Sequence, residues 1–176
     1  MVTTVEAGRL LDKALIPLGA EVVRGKVGDI AVAHLAKDLN AAIGVEPIGV
    51  YIQPESGFYP NSFLAALTLI SSIKNSGDIL AHFKGMPDFI RKQVKIPCEP
   101  EQKVRLMSAV LQNAASFGAG KVNTVDGLRI EFDDAWLLIR PSGTEPIFRI
   151  IAESTSERET NRILKKSVDN LKKLLD

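Results

Sequence analysis

Apolar residues recur along this chain with two periods, and the order in which those periods alternate changes once, near the middle. Val2 to Val5 is a short apolar run that reads as strand. Glu6 to Leu18 places Leu10, Leu11, Ala14 and Leu15 at helical spacing, and Gly19 stands where a helix C-terminus favours glycine. Glu21 to Arg24 reads as a second strand, Gly25 to Gly28 as a turn, and Asp29 as the N-cap of a helix to about Leu39. Ala41 to Glu46 is a third strand. Pro47 to Pro60 is a loop-rich insertion with a brief edge strand at Gly49 to Ile52, and helices follow at Asn61 to Ile73 and Ser76 to Phe83. Strand and helix alternate, which predicts an α/β layer around a parallel sheet.

Gly85-Met86-Pro87 breaks this order. Beyond it, Arg91 to Ile96 alternates as a strand, and Pro100 to Phe117 reads as one amphipathic helix carrying Val104, Met107, Val110, Leu111 and Ala114. Strands are expected at Lys121 to Thr124, Leu128 to Phe132, Trp136 to Ile139 and Ile147 to Glu153, with Asp126-Gly127 and Asp133-Asp134 as turns. A helix from Glu157 to Leu175, apolar on one face, closes the chain. Successive strands flanked by helices predict an α+β unit, so the expected organisation is an α/β domain over residues 1–87 and an α+β domain over residues 88–176.

Charge narrows the function. The 22 Lys and Arg residues stand against 21 Asp and Glu, a net charge of +1, so nucleic acid and anionic membrane surfaces are not expected partners and any basic site is local. The single cysteine, Cys98, excludes an internal disulfide framework and fits a reducing cytoplasm. No apolar run approaches the roughly 18 residues of a membrane span. The abrupt start at an apolar strand leads to the expectation that the chain is the later part of something longer.

One segment concentrates oxyanion chemistry: Arg140-Pro141-Ser142-Gly143-Thr144-Glu145-Pro146, with Arg149 in the strand that follows. Guanidinium forks and hydroxyls donate to phosphate oxygens, and a loop glycine lets backbone N–H groups approach. On residue types alone a Pro-Gly turn with surface arginines is an equal reading. Two further motifs are weaker. Glu46 in Gly44-Val45-Glu46-Pro47-Ile48-Gly49 stands at a strand end, where α/β folds bind ligands, and also reads as a solvated loop glutamate. Arg24-Gly25-Lys26-Val27-Gly28-Asp29 places cations before a helix N-terminus without full phosphate-loop spacing, and a tight turn with exposed cations suits it as well. His34 and His82 read as structural. No Ser-His-Asp or Cys-His arrangement and no acidic cluster with metal-ligand spacing stands out.

With the turn, the glutamate and the loop in this order, the chain resembles the C-terminal portion of the α-D-phosphohexomutases, the phosphomannomutase and phosphoglucomutase family in its archaeal form. Arg140 to Pro146 matches that family's phosphate-binding loop, Thr124-Val125-Asp126-Gly127-Leu128 its last domain, Lys26-Val27-Gly28-Asp29 a turn of its third domain, and Gly44-x-Glu46-x-x-Gly49 its sugar-recognition motif. Ile48 and Val50 depart from the family's sugar loop, since neither side chain can donate a hydrogen bond. The resemblance implies a three-layer α/β domain followed by a domain like the TATA-box-binding protein. It implies a cytoplasmic phosphosugar mutase that moves phosphate between the 1- and 6-positions of a hexose. In that scheme Arg140, Ser142, Gly143, Thr144 and Arg149 hold the non-reacting phosphate, while Glu46, Gly49 and Lys26 bind the sugar. The family's phosphoserine and Mg²⁺ ligands belong to two earlier domains and have no counterpart here, so this chain alone is expected to be inactive. A separate chain carrying those domains, or a non-catalytic phosphosugar-binding role, are the alternatives that follow.

Overall fold

The computed structural model describes residues 1–175, the side chains of residues 76, 78, 80 and 82 excepted, so the reading of His82 lies outside the described residues. The chain divides into two compact units, Met1–Pro87 and Asp88–Asp176.

In the first unit the elements follow as β1 (Val2–Thr4), α1 (Leu10–Leu15), β2 (Val23–Gly25), α2 (Asp29–Asp38), β3 (Gly44–Glu46), β4 (Val50–Ile52), α3 (Ser62–Ser72) and α4 (Ser76–Phe83). The sheet order is β2-β1-β3-β4, parallel among the first three strands, with β4 antiparallel on β3 as the edge strand. α2 packs across the sheet, and Val32 and Ala36 on it meet Val2 and Ile52 to form the core. Gly44 permits this approach. A Cβ there would stand 2.9 Å from Val32 Cγ1, closer than side chains tolerate.

Several expected boundaries shift. The first helix starts only at Leu10, because the Ala7 N–H closes a turn on Thr4 O at 3.0 Å. It gives way at Ile16–Leu18 to a 3₁₀ turn containing Pro17, whose ring would clash with the carbonyl four residues back. The N-cap of α2 is Gly28, and Asp29 is the first helical residue, its carboxylate accepting the Ile30 N–H at 2.8 Å. The third strand is confined to Gly44–Glu46.

The second unit runs β5 (Ile90–Pro97), α5 (Pro100–Gln112), α6 (Ala114–Phe117), β6 (Lys121–Asn123), β7 (Leu128–Glu131), β8 (Ala135–Pro141), β9 (Ile147–Ser154) and α7 (Glu157–Leu175). Its sheet is antiparallel throughout, in the order β5-β9-β8-β7-β6. The expected single helix from Pro100 breaks at Asn113, whose ψ of 23° leaves the helical region and whose Nδ2 donates to Ala109 O at 2.9 Å. α7 carries Thr160, Ile163, Leu164, Ser167 and Leu171 buried at helical spacing. Ile163, Leu164 and Leu171 pack with Leu137, Ile139, Phe148 and Ile150 from one sheet face, together with Leu106 and Val110 of α5. Each fully buried Leu or Ile contributes about 1.5–3 kcal/mol, so this core holds the long strands in register.

The strand alternation sends Trp136, Leu138, Arg140, Arg149, Ile151 and Glu153 to the opposite face. There Arg129 stacks 4.0 Å from the Trp136 ring centroid, and Trp136 Nε1 donates to Glu153 Oε1 at 2.8 Å.

Candidate functional site

The β8–β9 hairpin builds the candidate site. Arg140 and Pro141 are the last residues of β8 rather than loop residues, so the Arg140 side chain is set by the sheet and not by a mobile turn. Arg149 lies directly opposite Arg140 on β9, and Lys95 lies directly opposite Arg149 on β5. Register partners on neighbouring strands project to the same face, so Lys95, Arg149 and Arg140 form a cationic row across three strands.

Two carboxylates flank the row. Asp126, in the β6–β7 turn, pairs with Arg140 at 3.2 Å. Glu145 bridges the other two cations, accepting from Lys95 Nζ at 3.1 Å and from Arg149 Nη2. The hydrogen bond from Lys95, joined by the charges of Lys95 and Arg149, holds the Glu145 carboxyl below its ordinary pKa. Three cations against two carboxylates leave the row with one excess positive charge before any ligand arrives.

Ser142 is the hub of the loop. Its side chain is buried, and Oγ accepts from the Thr144 N–H at 3.4 Å, the Glu145 N–H at 3.2 Å and Arg149 Nη2 at 3.4 Å. The Ser142 N–H donates to Ile147 O at 2.9 Å, closing the hairpin. Lys103 reaches over from α5 and donates to two loop carbonyls, Ser142 O at 2.7 Å and Glu145 O at 2.6 Å. Gly143 and Thr144 at the tip are exposed, and a cleft of about 560 Å³ opens beside them, lined by Lys103, Val104, Met107, Arg140, Ser142 and Gly143 among others. A larger hollow of about 740 Å³ lies at the other end of β8 and β9, bordered by Asp133, Asp134, Glu159 and Arg162. There Arg162 is already held by Glu159 at 2.6 Å, and no comparable row of cations forms.

In the first unit, Glu46 is buried at the end of β3, and its Oε1 accepts the Gly28 N–H at 2.8 Å. The glutamate of one motif thus anchors the turn of the other, leaving Lys26 exposed on that turn. The Gly49 N–H donates to Glu46 O at 3.1 Å, closing the following turn, and Ile48 is exposed. Arg24 is engaged within the fold. Its guanidinium is bidentate on Asp12, at 3.0 and 2.5 Å, and its Nη2 also donates to Gly8 O at 3.2 Å, fastening α1 to β2. His34 is exposed on α2.

The sequence motifs did not single out Lys95, Lys103, Asp126 or Glu145 as members of the site. Lys95 and Asp126 reach it only through strand register, and Lys103 only through helix packing. Glu145 was legible, four residues before Arg149 in a short hairpin, a spacing that brings opposite charges together. Among the described residues no group of three or more His, Cys, Asp or Glu is placed to hold a metal ion, and no helix is long and apolar enough to cross a membrane.

Comparison with known proteins places the chain in a family. The model of the phosphoglucomutase/phosphomannomutase alpha/beta/alpha domain III matches residues 1–87, and that of the phosphoglucomutase/phosphomannomutase C-terminal domain matches residues 94–170. A probable phosphoglucosamine mutase of Pyrococcus horikoshii is 38% identical over 176 residues, spanning 99% of this chain and 39% of that protein. The phosphoglucosamine mutase of Methanocaldococcus jannaschii is 35% identical over 179 residues, again 99% of this chain and 39% of its own length. The chain therefore spans about two-fifths of the relatives it matches. Among solved structures, a phosphoglucomutase/phosphomannomutase family protein of Burkholderia thailandensis superposes with a TM-score of 0.80 at 24% identity, over 98% of this chain and 37% of that one. The N-acetylphosphoglucosamine mutase of Aspergillus fumigatus, in complex with GlcNAc-6P and magnesium, gives a TM-score of 0.53 at 16% identity, over 97% and 40%. At these identities the structural likeness speaks for the fold, while the domain III and C-terminal models follow one another along the sequence in the order expected. The chain belongs to the phosphoglucomutase/phosphomannomutase family, of which it carries domain III and the C-terminal domain.

Proposed function

We propose that residues 140–149 hold the phosphate of a hexose phosphate, and that the chain is the sugar- and phosphate-binding portion of a phosphohexomutase. The observation that carries this reading is the row Lys95–Arg149–Arg140, three cations set side by side by strand register around the buried Ser142 hydroxyl. Arg140, Arg149, Ser142 and the Thr144 hydroxyl supply side-chain donors, and Gly143 supplies the exposed backbone at the tip. A phosphate held there gives orientation and binding energy to a transfer occurring elsewhere on the sugar. In the first unit, Glu46 keeps Oε2 for sugar hydroxyls while Oε1 holds the turn, with Gly49 and Lys26 beside it in sequence. Because the relatives are named phosphoglucosamine mutases, glucosamine 6-phosphate is the first hexose phosphate to test.

The chemistry assigned to this chain is binding. A mutase of this family uses Mg²⁺, and the Aspergillus fumigatus structure contains magnesium, but the described residues supply no ligand set for it. Neither do they supply the phosphoserine donor that the family resemblance implies. Purified alone, the 176-residue chain is expected to bind glucosamine 6-phosphate in a calorimetric titration without converting it to the 1-phosphate. Turnover by the isolated chain would overturn the assignment, and absence of binding would remove the phosphate site.

The reading extends to a partner. α3 has no charged residue, and its Phe63, Leu67, Leu69 and Ile70 are exposed, although a helix apolar on all sides is normally covered. The occupant that fits is the part of the relatives lying outside these 176 residues, roughly three-fifths of their length. A polypeptide carrying those domains should co-purify with this chain, and the double variant Phe63→Ser, Leu67→Ser should lose it. Undiminished co-purification of that variant would exclude α3 as the contact.

A further inference from the structure

Glu145 lies within the loop assigned to phosphate, yet carries the same sign of charge as that ligand. Its two carboxylate oxygens reach two of the three cations of the row, Oε1 on Lys95 and Oε2 on Arg149. Its main chain is fixed on both sides: the N–H donates to Ser142 Oγ at 3.2 Å, and the C=O accepts from Lys103 at 2.6 Å. The side chain, by contrast, is 40% exposed and turns without disturbing the loop. Arg149 Nε is buried and has no hydrogen-bond partner among the described residues, so the internal carboxylate does not saturate the guanidinium. Carboxylate and phosphate oxygens suit the same donors, so the two compete for Arg149.

Building on the phosphate reading of the loop, we propose that Glu145 is an internal anion that occupies Arg149 while the site is empty. An incoming phosphate displaces its side chain from Arg149, leaving it on Lys95. A pair whose carboxylate is open to solvent contributes little, so the displacement is inexpensive for a phosphate dianion, which gains several charge-assisted bonds. A monoanion gains fewer such bonds and displaces Glu145 less readily. The residue thus sets an affinity threshold for the loop and favours doubly charged ligands.

The test is a calorimetric titration of the whole 176-residue chain with inorganic phosphate, comparing the unmodified protein with Glu145→Gln and Glu145→Asp. Asp keeps the charge but falls one methylene short of Arg149. Competition by direct pairing predicts that both variants bind phosphate about two- to fivefold more tightly, the range to which an exposed ion pair converts. Weaker binding by either variant would show that Glu145 positions Arg149 rather than competing for it, and unchanged binding would show no competition; each overturns the proposal. Tightening by Gln but not by Asp would reduce the effect to long-range charge and overturn it as well. If the unmodified protein binds no phosphate and Arg140→Ala makes no difference, the phosphate reading itself falls, a result distinct from all of these.

Discussion

Arg140 and Arg149 stand directly opposite one another on adjacent antiparallel strands. Like charges in that position destabilise a sheet, by a sizeable part of the roughly 0.2–1 kcal/mol a cross-strand pair contributes. Lys95, opposite Arg149 on the next strand, adds to the repulsion. Asp126 and Glu145 offset part of it from outside the strands. A local rule of sheet pairing broken at the end of a well-packed sheet is what a ligand site looks like, since a bound dianion removes the conflict that the empty sheet carries.

Arg140→Ala should therefore separate binding from stability. If the charged side chain donates to the proposed ligand, phosphate affinity should fall by about 1.5–3 kcal/mol, roughly ten- to a hundredfold. Stability should change by less than about 1 kcal/mol, because the half-buried pair with Asp126 is lost together with the repulsion from Arg149, and the two changes oppose each other. Arg140→Lys should recover only part of the affinity, since an ammonium cannot offer the guanidinium's planar fork. Calorimetric titration with glucosamine 6-phosphate and urea unfolding of the same samples measure both quantities, and equal affinity in all three proteins would remove Arg140 from the site.

Lys103 acts on the loop rather than on the ligand. It donates to Ser142 O and Glu145 O from α5, tying the helix to both ends of the tip. Lys103→Met keeps the aliphatic stem and removes the ammonium, so the expected loss is about 1–3 kcal/mol for charge-assisted bonds to carbonyls that are left less well paired. Urea unfolding should show that loss, and the phosphate titration should weaken with it because Ser142 is no longer held. A stable Lys103→Met protein with unaltered affinity would mean that the hairpin positions Ser142 unaided.

Alternation of apolar residues exposed both layers of the fold, and the long elements were the easiest to read: α7 begins at Glu157 and ends at Leu175, where the spacing of Ile163, Leu164 and Leu171 places it. The helix boundaries were lost to single residues inside the apolar pattern. Pro17 ended α1 early, and Asn113 divided a continuous-looking helix by bonding back to Ala109. At the loop, Arg140, Ser142 and Arg149 were legible because they lie close in sequence, whereas Lys95 and Asp126 are brought to Arg149 and Arg140 by register alone. Arg24 shows the same limit: a cation before a glycine-rich turn left an anion site and an exposed turn both open, and its partner, Asp12, lies one helix earlier in the sequence.

Acid should loosen the loop in a defined direction. Hydrogen bonds from Lys95 to Glu145 and from Lys92 to Glu157 hold both carboxyls below their ordinary value of 4.5. A folded-state value below the unfolded one means that the contribution is fully present above the unfolded value and disappears as pH falls through the lower folded one. The difference in melting temperature between the unmodified protein and Glu145→Gln should thus be constant from pH 7 down to about 5 and close below about 4. Thermal unfolding by circular dichroism across that range checks it. A difference that persists unchanged at pH 2.5 would show that Glu145 stabilises the hairpin without its charge.

Two glycines near the site should differ in what the same substitution does to stability. Gly127 has φ of 95°, and a Cβ there would come within 2.5 Å of Ile139 O and 2.7 Å of Arg140 Cβ. Gly127→Ala should cost about 1–3 kcal/mol through backbone strain and collision with β8, and should weaken phosphate binding by shifting both Arg140 and Asp126. Gly143 lies at the loop tip with nothing within 4 Å of a Cβ and without a left-handed φ. Gly143→Ala should therefore leave stability within about 0.5 kcal/mol. If the Gly143 backbone approaches the phosphate, however, the added methyl stands in the ligand's way, and affinity should fall about tenfold or more, some 1.4 kcal/mol. Unfolding and titration of the two variants in parallel distinguish a glycine that the fold requires from one that the ligand requires. A Gly143→Ala protein that is stable and binds phosphate at full strength would mean that the anion is held by the side chains of the row and not by the tip of the loop.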